Sequence, residues 1–319
     1  MKKMKKVLSA IVVASMAMSF TACGGDSDVY RVGICQQLEH EALDAATKGF
    51  QDALTEKLGD KVEFDLQNAQ GEATNCASIA NGFVADDVDL IMANATSALQ
   101  SCSAATAEIP IVATSITDYA TALNAENWTG TTGKNITGTS DLAPLDQQVE
   151  MLVELVPDAE SVGILYCSAE PNSAFQAAEV GKYLDEKGIA WKEYTAADSN
   201  EIQSVVTNAV AECDCIYIPT DNTMAANTEI VKNVTVPAGV PVIAGEQGIC
   251  AGGIATLSIS YYDLGYKTGE MAYEILVNGA NPAEMEIEYA PKAEKMYNAT
   301  IAGELGINIP DDYTAIEGY

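Results

Sequence analysis

Histidine and positive charge are scarce in this sequence. Its 319 residues include a single histidine, His40, and 16 lysines and arginines against 46 aspartates and glutamates, which gives a net charge of −30. Nucleic-acid binding depends on Lys and Arg that neutralise phosphates, so no nucleic-acid partner is expected. The acidic excess also opposes attachment to anionic lipid headgroups, and we interpret it as a contribution to solubility.

Catalytic motifs are missing as well. The sequence has no Gly-x-Ser-x-Gly elbow, His-Glu-x-x-His zinc helix, Walker loop or Gly-x-Gly-x-x-Gly fingerprint. One histidine cannot form a two-His metal centre, and a Ser-His-Asp triad would have to use His40. We therefore predict a protein that is not an enzyme, with no catalytic residues, no metal site and no cofactor.

Long hydrophobic runs are absent except for one short run near the start. A basic stretch precedes an apolar run from Val7 to about Met18, which is shorter than the roughly 20 residues that span a bilayer. Phe20-Thr21-Ala22-Cys23 follows and resembles a bacterial lipobox. We predict a signal peptide over 1–22, a lipid on Cys23, a tether over 23–28, and a place on the outer face of the cytoplasmic membrane.

The eight cysteines do not form a recognisable framework. Assigning Cys23 to the lipid leaves an odd number, so at least one thiol has no partner within the chain. Cys213 and Cys215 are separated by one residue, which is not a CxxC redox motif. The sequence leaves open whether any of the seven pair, and it favours buried free thiols.

What the chain does contain is an order of elements that occurs twice. Short β-branched runs alternate with amphipathic stretches, which is typical of parallel βαβ units. Strands are predicted at 30–35, 62–66, 88–93 and 109–114, and again at 161–166, 191–194, 213–218 and 240–245. Helices are predicted between them, near 43–54, 72–85, 173–187 and 200–211 among others. The pattern predicts an α/β fold with two doubly wound, Rossmann-like lobes.

The lobes are predicted to exchange segments. We assign 29–142 with 258–283 to the N-terminal lobe and 143–257 with 284–319 to the C-terminal lobe. The three crossings near 142, 257 and 283 would then form a three-segment hinge. A monomer whose lobes swing together around a cleft is expected.

Ligands of doubly wound sheets bind beyond the carboxyl ends of the strands, so the loops there supply the candidate site. These loops are rich in hydroxyls, amides and carboxylates. The ligand-binding candidates are Gln36, Gln37, Glu39, Thr96, Ser97, Ser115 and Thr117 in the first lobe, Asn172, Ser173, Asp221, Asn222 and Glu246 in the second, and Ser260 and Tyr261 beside a crossing. His40 lies in the first of these loops, and we interpret it as a solvent-exposed residue near a helix start.

Five segments carry a family resemblance. They are Asp65–Gly71, Ile136–Asp141, Pro219–Thr223, Ala244–Glu246 and Tyr261–Gly265. Together they resemble the tryptophan/tyrosine-binding branch of the ABC transporter substrate-binding proteins, within the type I periplasmic binding proteins. The resemblance implies a Venus-flytrap receptor that captures an aromatic amino acid and passes it to an ABC permease and its ATPase.

An amino-acid ligand needs acceptors for its ammonium and donors for its carboxylate, because unpaired buried charges are costly. Asp221, supported by Glu246, is the predicted ammonium site, and the hydroxyls of Thr96, Ser97, Ser115 and Thr117 would face the carboxylate. Either carboxylate could instead cap the helix that follows it. Other solutes, such as a branched-chain amino acid or an organic acid, stay open, as does signalling to a membrane kinase instead of transport.

Overall fold

The computed structural model describes residues 29–290 and 292–318. The predicted signal peptide, Cys23 and the tether lie outside these residues. Across the described part of the chain, no helix combines the length and the apolarity needed to cross a bilayer.

The first half of the chain alternates strands and helices, as the hydrophobic pattern predicts. Helical spacing brings Leu43, Ala46, Phe50 and Leu54 to one buried face of the first helix. The elements are β1 (Tyr30–Gln36), α1 (Glu41–Leu58), β2 (Val62–Asn68), α2 (Ala73–Ala85), β3 (Leu90–Asn94), α3 (Thr96–Ala105), β4 (Ile111–Ile116), α4 (Tyr119–Leu123), β5 (Ile136–Ser140) and α5 (Leu145–Leu155).

The second half repeats this order and then extends it. Short 3-10 turns lie at Gly248–Ala251 and Pro282–Glu284. The elements are β6 (Ser161–Cys167), α6 (Pro171–Lys187), β7 (Ala190–Ala196), α7 (Ile202–Glu212), β8 (Cys215–Ile218), α8 (Asn222–Ala225), α9 (Thr228–Ala238), β9 (Val242–Ala244), β10 (Ala255–Ser258), α10 (Tyr261–Leu276), β11 (Glu288–Tyr289), β12 (Glu294–Tyr297), α11 (Ala299–Leu305) and β13 (Thr314–Ala315).

Two sheets result, and five strands of each follow the same order, β5-β4-β3-β1-β2 in the first and β10-β9-β8-β6-β7 in the second. The first runs β11-β5-β4-β3-β1-β2 and the second β13-β12-β10-β9-β8-β6-β7. Every described pairing is parallel except that of β10 with β12. In both sheets the strand order reverses at the first strand, β1 or β6, and ligands of such folds bind at the carboxyl ends of the strands at this point. The predicted pair of doubly wound lobes is confirmed.

Each sheet is buried on both faces, which explains the unbroken apolar runs in its strands. Alternate side chains of β3 enter different cores, Leu90 and Met92 on one face and Ile91 on the other. In β8, Ile216 and Ile218 share one core and Tyr217 enters the other. The carboxyl ends of the strands therefore stay rigidly placed relative to each other.

Three crossings connect the lobes. The first follows β5, and the second lies between β10 and α10, two residues beyond its predicted place at 257 because β10 extends to Ser258. Helix α10 packs along α1 of the first lobe at very close range. A Cβ added to Gly265 would lie 1.9 Å from the carbonyl oxygen of Ala46, and one added to Gly49 would lie 2.1 Å from that of Tyr262.

The third crossing comes later than the sequence predicts. We assigned 284–319 to the C-terminal lobe, but Glu288 and Tyr289 of β11 pair with Thr139 and Ser140 of β5 in the first sheet. Ile287 is buried in the first core. Pairing with β11 covers an edge of the first sheet that would otherwise expose unpaired backbone groups. The chain therefore crosses between β11 and β12.

The seven cysteines from Cys35 to Cys250 are all buried and unpaired. The sequence favours this state. Cys213 packs in one core of the second lobe and Cys215 in the other, since β8 begins only at Cys215.

Candidate functional site

The loops at the carboxyl ends of the two sheets enclose a small cavity between the lobes. The first lobe lines it with His40, Leu43, Ser115, Asp141 and Tyr261. The second lobe lines it with Asn172, Thr220, Asp221, Asn222, Ala225 and Glu246. The cavity volume is about 10 Å³, close to the space that one water molecule needs.

Hydrogen bonds join the lobes across this cavity. His40 Nε2 lies 3.1 Å from Asn222 Oδ1, and the hydroxyls of Thr117 and Thr220 are 3.3 Å apart. Further out, Gln247 Nε2 donates to a Glu41 carboxylate oxygen at 3.0 Å. The lobes are therefore closed on one another, and a solute larger than water can enter only when they separate.

The first loop does not bring its predicted residues to the cavity. Gln36 donates to Asp44 at 2.6 Å and accepts from Thr47 at 2.7 Å, so its amide is tied to α1. The Gln37 side chain accepts the Ser97 backbone N–H at 2.9 Å. Glu39 is exposed. Gln36 is thus held by α1 and Gln37 by the start of α3, and His40 is the residue of this loop that lies beside the second lobe.

His40 is the clearest correction to the sequence interpretation. It occupies the N-cap position of α1 without capping it, and its ring contacts the opposite lobe through Asn222. Burial lowers the pKa of His40, against an opposing effect of the hydrogen bond to Asn222. A neutral imidazole is therefore favoured at this contact.

The predicted hydroxyls divide into two groups. Thr96 and Ser97 begin α3 and do not line the cavity. Ser115 does line it, from a left-handed backbone conformation with φ of 57°. Thr117 bridges to the second lobe through Thr220. A left-handed backbone conformation like that of Ser115 is uncommon for residues other than glycine, and the cases that occur are concentrated at functional sites.

The two carboxylates predicted in the second lobe both reach the cavity, and both also cap helix starts. Asp221 accepts the N–H groups of Met224 at 2.8 Å and Cys167 at 2.7 Å. Glu246 accepts the N–H groups of Gly248 at 2.7 Å and Ile249 at 2.8 Å. Both carboxylates therefore line the cavity while they accept backbone N–H groups.

These carboxyl groups are poorly solvated. Burial, with a smaller effect from nearby Glu170, raises the pKa of Asp221. Burial raises the pKa of Glu246 to about 7, although its two backbone hydrogen bonds act in the opposite direction. Burial also raises the pKa of Asp141. A cation entering the cavity would lower these pKa values, because a nearby positive charge favours the ionised carboxylate.

Sequence reasoning missed Glu170, which organises the second lobe's loops. Its carboxylate accepts the backbone N–H and side-chain amide of Asn222, at 3.0 and 2.7 Å, and the N–H and hydroxyl of Thr223, at 2.8 and 2.7 Å. Asn172, in the first turn of α6, donates to the Thr220 carbonyl at 3.0 Å, and Ser173 beside it is buried. An acidic residue followed by Pro171 at a helix start was the available signal.

Asp141 was missed too, and it links two crossings. It follows β5 at the first crossing, and its Oδ2 accepts the hydroxyl of Tyr261, the first residue of α10, at 2.8 Å. Tyr261 lines the cavity, whereas Ser260 is exposed and caps α10. The signal was the Ile136–Asp141 segment that ends beside the hinge.

Four buried polar atoms of the cavity have no hydrogen-bond partner among the described residues. They are His40 Nδ1, Ser115 Oγ, Asp141 Oδ1 and Asn172 Oδ1. Two doubly wound lobes that close on a small polar cavity have the geometry of a receptor for a small solute. A family model for ABC transporter substrate binding protein matches residues 31–316. The chain belongs to this family.

Relatives in the family have named ligands. The chain is 33% identical over 317 residues to a tyrosine-binding protein of Clostridioides difficile, covering 93% of this chain and 91% of the relative. It is 32% identical to a domain solved in complex with L-Trp from Streptococcus pneumonia, with a TM-score of 0.86 over 90% of this chain and 99% of that one.

A third relative reports on conformation. The ligand-free, open structure of a Clostridium difficile substrate-binding protein with adhesive properties is 34% identical and covers 91% of this chain and 100% of that one. Its TM-score is lower, 0.69, than the 0.86 of the L-Trp complex, although the identities nearly agree. This difference is consistent with the closed lobes described above.

Membership confirms the resemblance predicted from the five sequence segments. The protein is the extracytoplasmic, substrate-binding component of an ABC transporter, and it is not an enzyme.

Proposed function

We propose that the protein captures a single amino acid, tyrosine or tryptophan before others, in the cleft that widens around this cavity when the lobes separate, and delivers it to an ABC permease for import. The observation that carries the proposal is the cavity itself, which the two lobes together line with carboxylates, amides and hydroxyls. The ligands named for the tyrosine-binding and L-Trp-bound relatives support an aromatic side chain.

Calorimetry on the purified protein tests the solute class. L-tyrosine, L-tryptophan, L-phenylalanine and the branched-chain amino acids are titrated separately. We expect an aromatic amino acid to bind with a micromolar dissociation constant, which corresponds to a binding free energy of about −8 kcal/mol. This net value already includes the cost of closing the lobes. Glu39→Gln, which changes an exposed carboxylate near the site, serves as a control and should bind the same amino acids as wild type. Absence of binding by every amino acid would contradict the proposal.

Membrane attachment belongs to the same proposal. Cys23 would carry the lipid and hold a monomeric receptor at the outer face of the cytoplasmic membrane. We expect Cys23→Ala to be released into the medium or to remain uncleaved in cell fractionation. A variant that is still processed and still membrane-bound would show that the anchor lies elsewhere.

A further inference from the structure

The four unpartnered atoms of the cavity define what it can bind. Leaving a buried polar atom without a partner costs about 1–3 kcal/mol, so a cluster of them needs a reason. Ser115 Oγ can donate or accept, whereas Asp141 Oδ1 can only accept while it is ionised. The roles of His40 Nδ1 and Asn172 Oδ1 follow from their neighbours.

The hydrogen-bond network fixes His40 as an acceptor. Asn222 donates its side-chain NH₂ to Glu170 at 2.7 Å, which orients the Asn222 amide so that Oδ1 faces His40 Nε2 at 3.1 Å. An amide oxygen only accepts, so Nε2 must carry the proton. Nδ1 of the neutral ring is then a bare lone pair at the cavity.

Asn172 and Asp141 are fixed in the same way. Asn172 donates its NH₂ to the Thr220 carbonyl at 3.0 Å, which leaves Oδ1 as the orphan acceptor. Asp141 uses Oδ2 for the Tyr261 hydroxyl at 2.8 Å, which leaves Oδ1. The cavity thus presents three acceptors and one hydroxyl, in a volume of about 10 Å³.

This set differs from the pair of carboxylates that the sequence suggested. Each oxygen of Asp221 and of Glu246 already accepts a backbone N–H, from the end of β6 and the start of α8 for Asp221 and from the 3-10 turn at Gly248–Ala251 for Glu246. Asp141 Oδ1 has no hydrogen-bond partner among residues 29–290 and 292–318, and the nearby Thr117 hydroxyl lowers the pKa of the carboxyl group. A group with several N–H donors, a positive charge and the size of one water molecule matches the three acceptors.

We propose that Asp141, His40 and Asn172 receive the ammonium group of the amino-acid ligand, with Asp141 as its counter-charge and Ser115 as an adjustable fourth contact. The inference rests on the proposed function, since it concerns the same solute. An ammonium has three N–H donors, and each acceptor would take one. Asp221 and Glu246 line the same cavity, but we assign the direct contact with the ammonium to Asp141.

The position of Asp141 couples this contact to closure. Asp141 belongs to the first crossing and is bonded to Tyr261 just after the second. His40 comes from the first lobe and Asn172 from the second. Ammonium binding would therefore draw together both lobes and two of the three crossings, which an analogue without the ammonium would not do.

The test uses the full purified protein and two pairs of probes. L-tyrosine is compared by calorimetry with 3-(4-hydroxyphenyl)propionate, and L-tryptophan with 3-(indol-3-yl)propionate. Each analogue keeps the ring and the carboxylate and lacks the ammonium. We expect wild type to prefer the amino acid by about 100-fold or more, since truncating one partner of a buried charge pair is strongly unfavourable.

Two variants assign the contact. Asp141→Asn should weaken amino-acid binding about 30- to 1,000-fold and leave the desamino analogue within about threefold, because it removes the charge and turns an NH₂ toward the ammonium. Asp221→Asn should weaken amino-acid binding less than about tenfold. Asn172→Ala is a second test, and it should weaken amino-acid binding about tenfold. Thermal unfolding of each variant establishes that it is folded.

The outcomes separate the two proposals. Wild type that binds neither amino acid overturns the proposed function and this inference with it. Wild type that binds amino acids and desamino analogues equally keeps an aromatic solute and overturns the ammonium site. A folded Asp141→Asn that binds L-tyrosine within threefold of wild type, or Asp221→Asn with the larger loss, shows that the counter-charge is not Asp141.

Discussion

Glu246 is a carboxyl group whose folded environment favours its protonated form. Burial raises its pKa to about 7 from an ordinary value of 4.5, and Glu41 and Asp141 of the other lobe add to the shift. The folded protein therefore binds a proton here between pH 4.5 and 7 that the unfolded chain releases. The contribution of this group to stability is present below about pH 4.5 and is lost as the pH rises to about 7.

Glu246→Gln should remove this pH dependence. We expect the free energy of unfolding of ligand-free wild type to fall by roughly 3 kcal/mol more than that of the variant between pH 4.5 and 7.5. The variant is also less stable at low pH, since its NH₂ cannot accept the Gly248 N–H. Urea unfolding at several pH values measures both. Glu39→Gln, at an exposed carboxylate, should follow wild type, and parallel curves for Glu246→Gln would contradict the assignment.

Ser115 combines a strained backbone with an unsatisfied hydroxyl. Its φ of 57° suits glycine better than serine. Its Oγ is buried without a partner in the described part of the chain. Such a residue is unfavourable for the empty protein and is retained where a ligand uses it.

Replacing Ser115 by glycine should therefore weaken ligand binding and stabilise the ligand-free protein. We expect Ser115→Gly to raise the free energy of unfolding of the ligand-free protein by about 0.5–1 kcal/mol and to weaken amino-acid binding about tenfold. Ser115→Ala is the matched control, because it removes the hydroxyl and keeps the strained backbone. It should weaken binding equally without the full gain in stability. Denaturant unfolding and calorimetry measure the two effects, and tighter binding by Ser115→Gly would refute the ligand contact.

At the scale of elements, α10 is held to the first lobe by backbone contact with α1. Gly265 approaches the carbonyl of Ala46, and Gly269 approaches Ala53, where an added Cβ would lie 2.7 Å from the Ala53 Cβ. No side chain fits at these positions, so the helices cross closer than ordinary helix pairs. This contact is what assigns the segment after the second crossing to the first lobe.

Gly265→Ala should separate the two helices. Overpacking against a backbone carbonyl cannot be relieved by a side-chain rotation, and we expect a loss of at least about 1–3 kcal/mol of unfolding free energy. Gly303→Ala is the matched control: Gly303 lies in α11 with no atom within 4 Å of an added Cβ. That change should stabilise the protein slightly, by about 0.5–1 kcal/mol. Equal melting temperatures for the two variants would show that α1 and α10 can move apart freely.

The whole molecule is closed by polar contacts of modest strength. His40 with Asn222, Thr117 with Thr220, and Gln247 with Glu41 join the lobes. Hydrogen bonds of this kind contribute about 0.5–1.5 kcal/mol each, so the closed state without ligand is readily reversible. A ligand that contacts both lobes shifts this balance by its preference for the closed state.

Ligand should therefore compact the protein in solution. We expect small-angle scattering to show a smaller radius of gyration with saturating L-tyrosine or L-tryptophan than without. Asp141→Asn should compact less at the same ligand occupancy, since the contact that draws the crossings together is weakened. A radius unchanged at saturation would favour a rigid pocket that solutes enter without lobe movement.

The sequence by itself determined the repeated order of strands and helices, the doubly wound sheets and the family. The apolar spacing of α1 and the buried runs of β1 and β6 are local signals, since each side chain's face follows from the period of its own element. The five family segments were readable for the same reason. The loops at the strand ends could be placed because parallel strands finish at one edge.

Only the tertiary structure decided which polar atoms face the cavity unpaired. Asp221 and Asp141 are alike in sequence, since each is a carboxylate that follows a strand. In the structure both oxygens of Asp221 accept backbone N–H groups. Asp141 accepts the Tyr261 hydroxyl at Oδ2, and its Oδ1 has no hydrogen-bond partner among the described residues. The pairing of β11 with β5 and the contact of His40 with Asn222 likewise join residues far apart in the chain. Hydrogen-bond partners are set by three-dimensional proximity, and residue spacing along the chain carries no record of it.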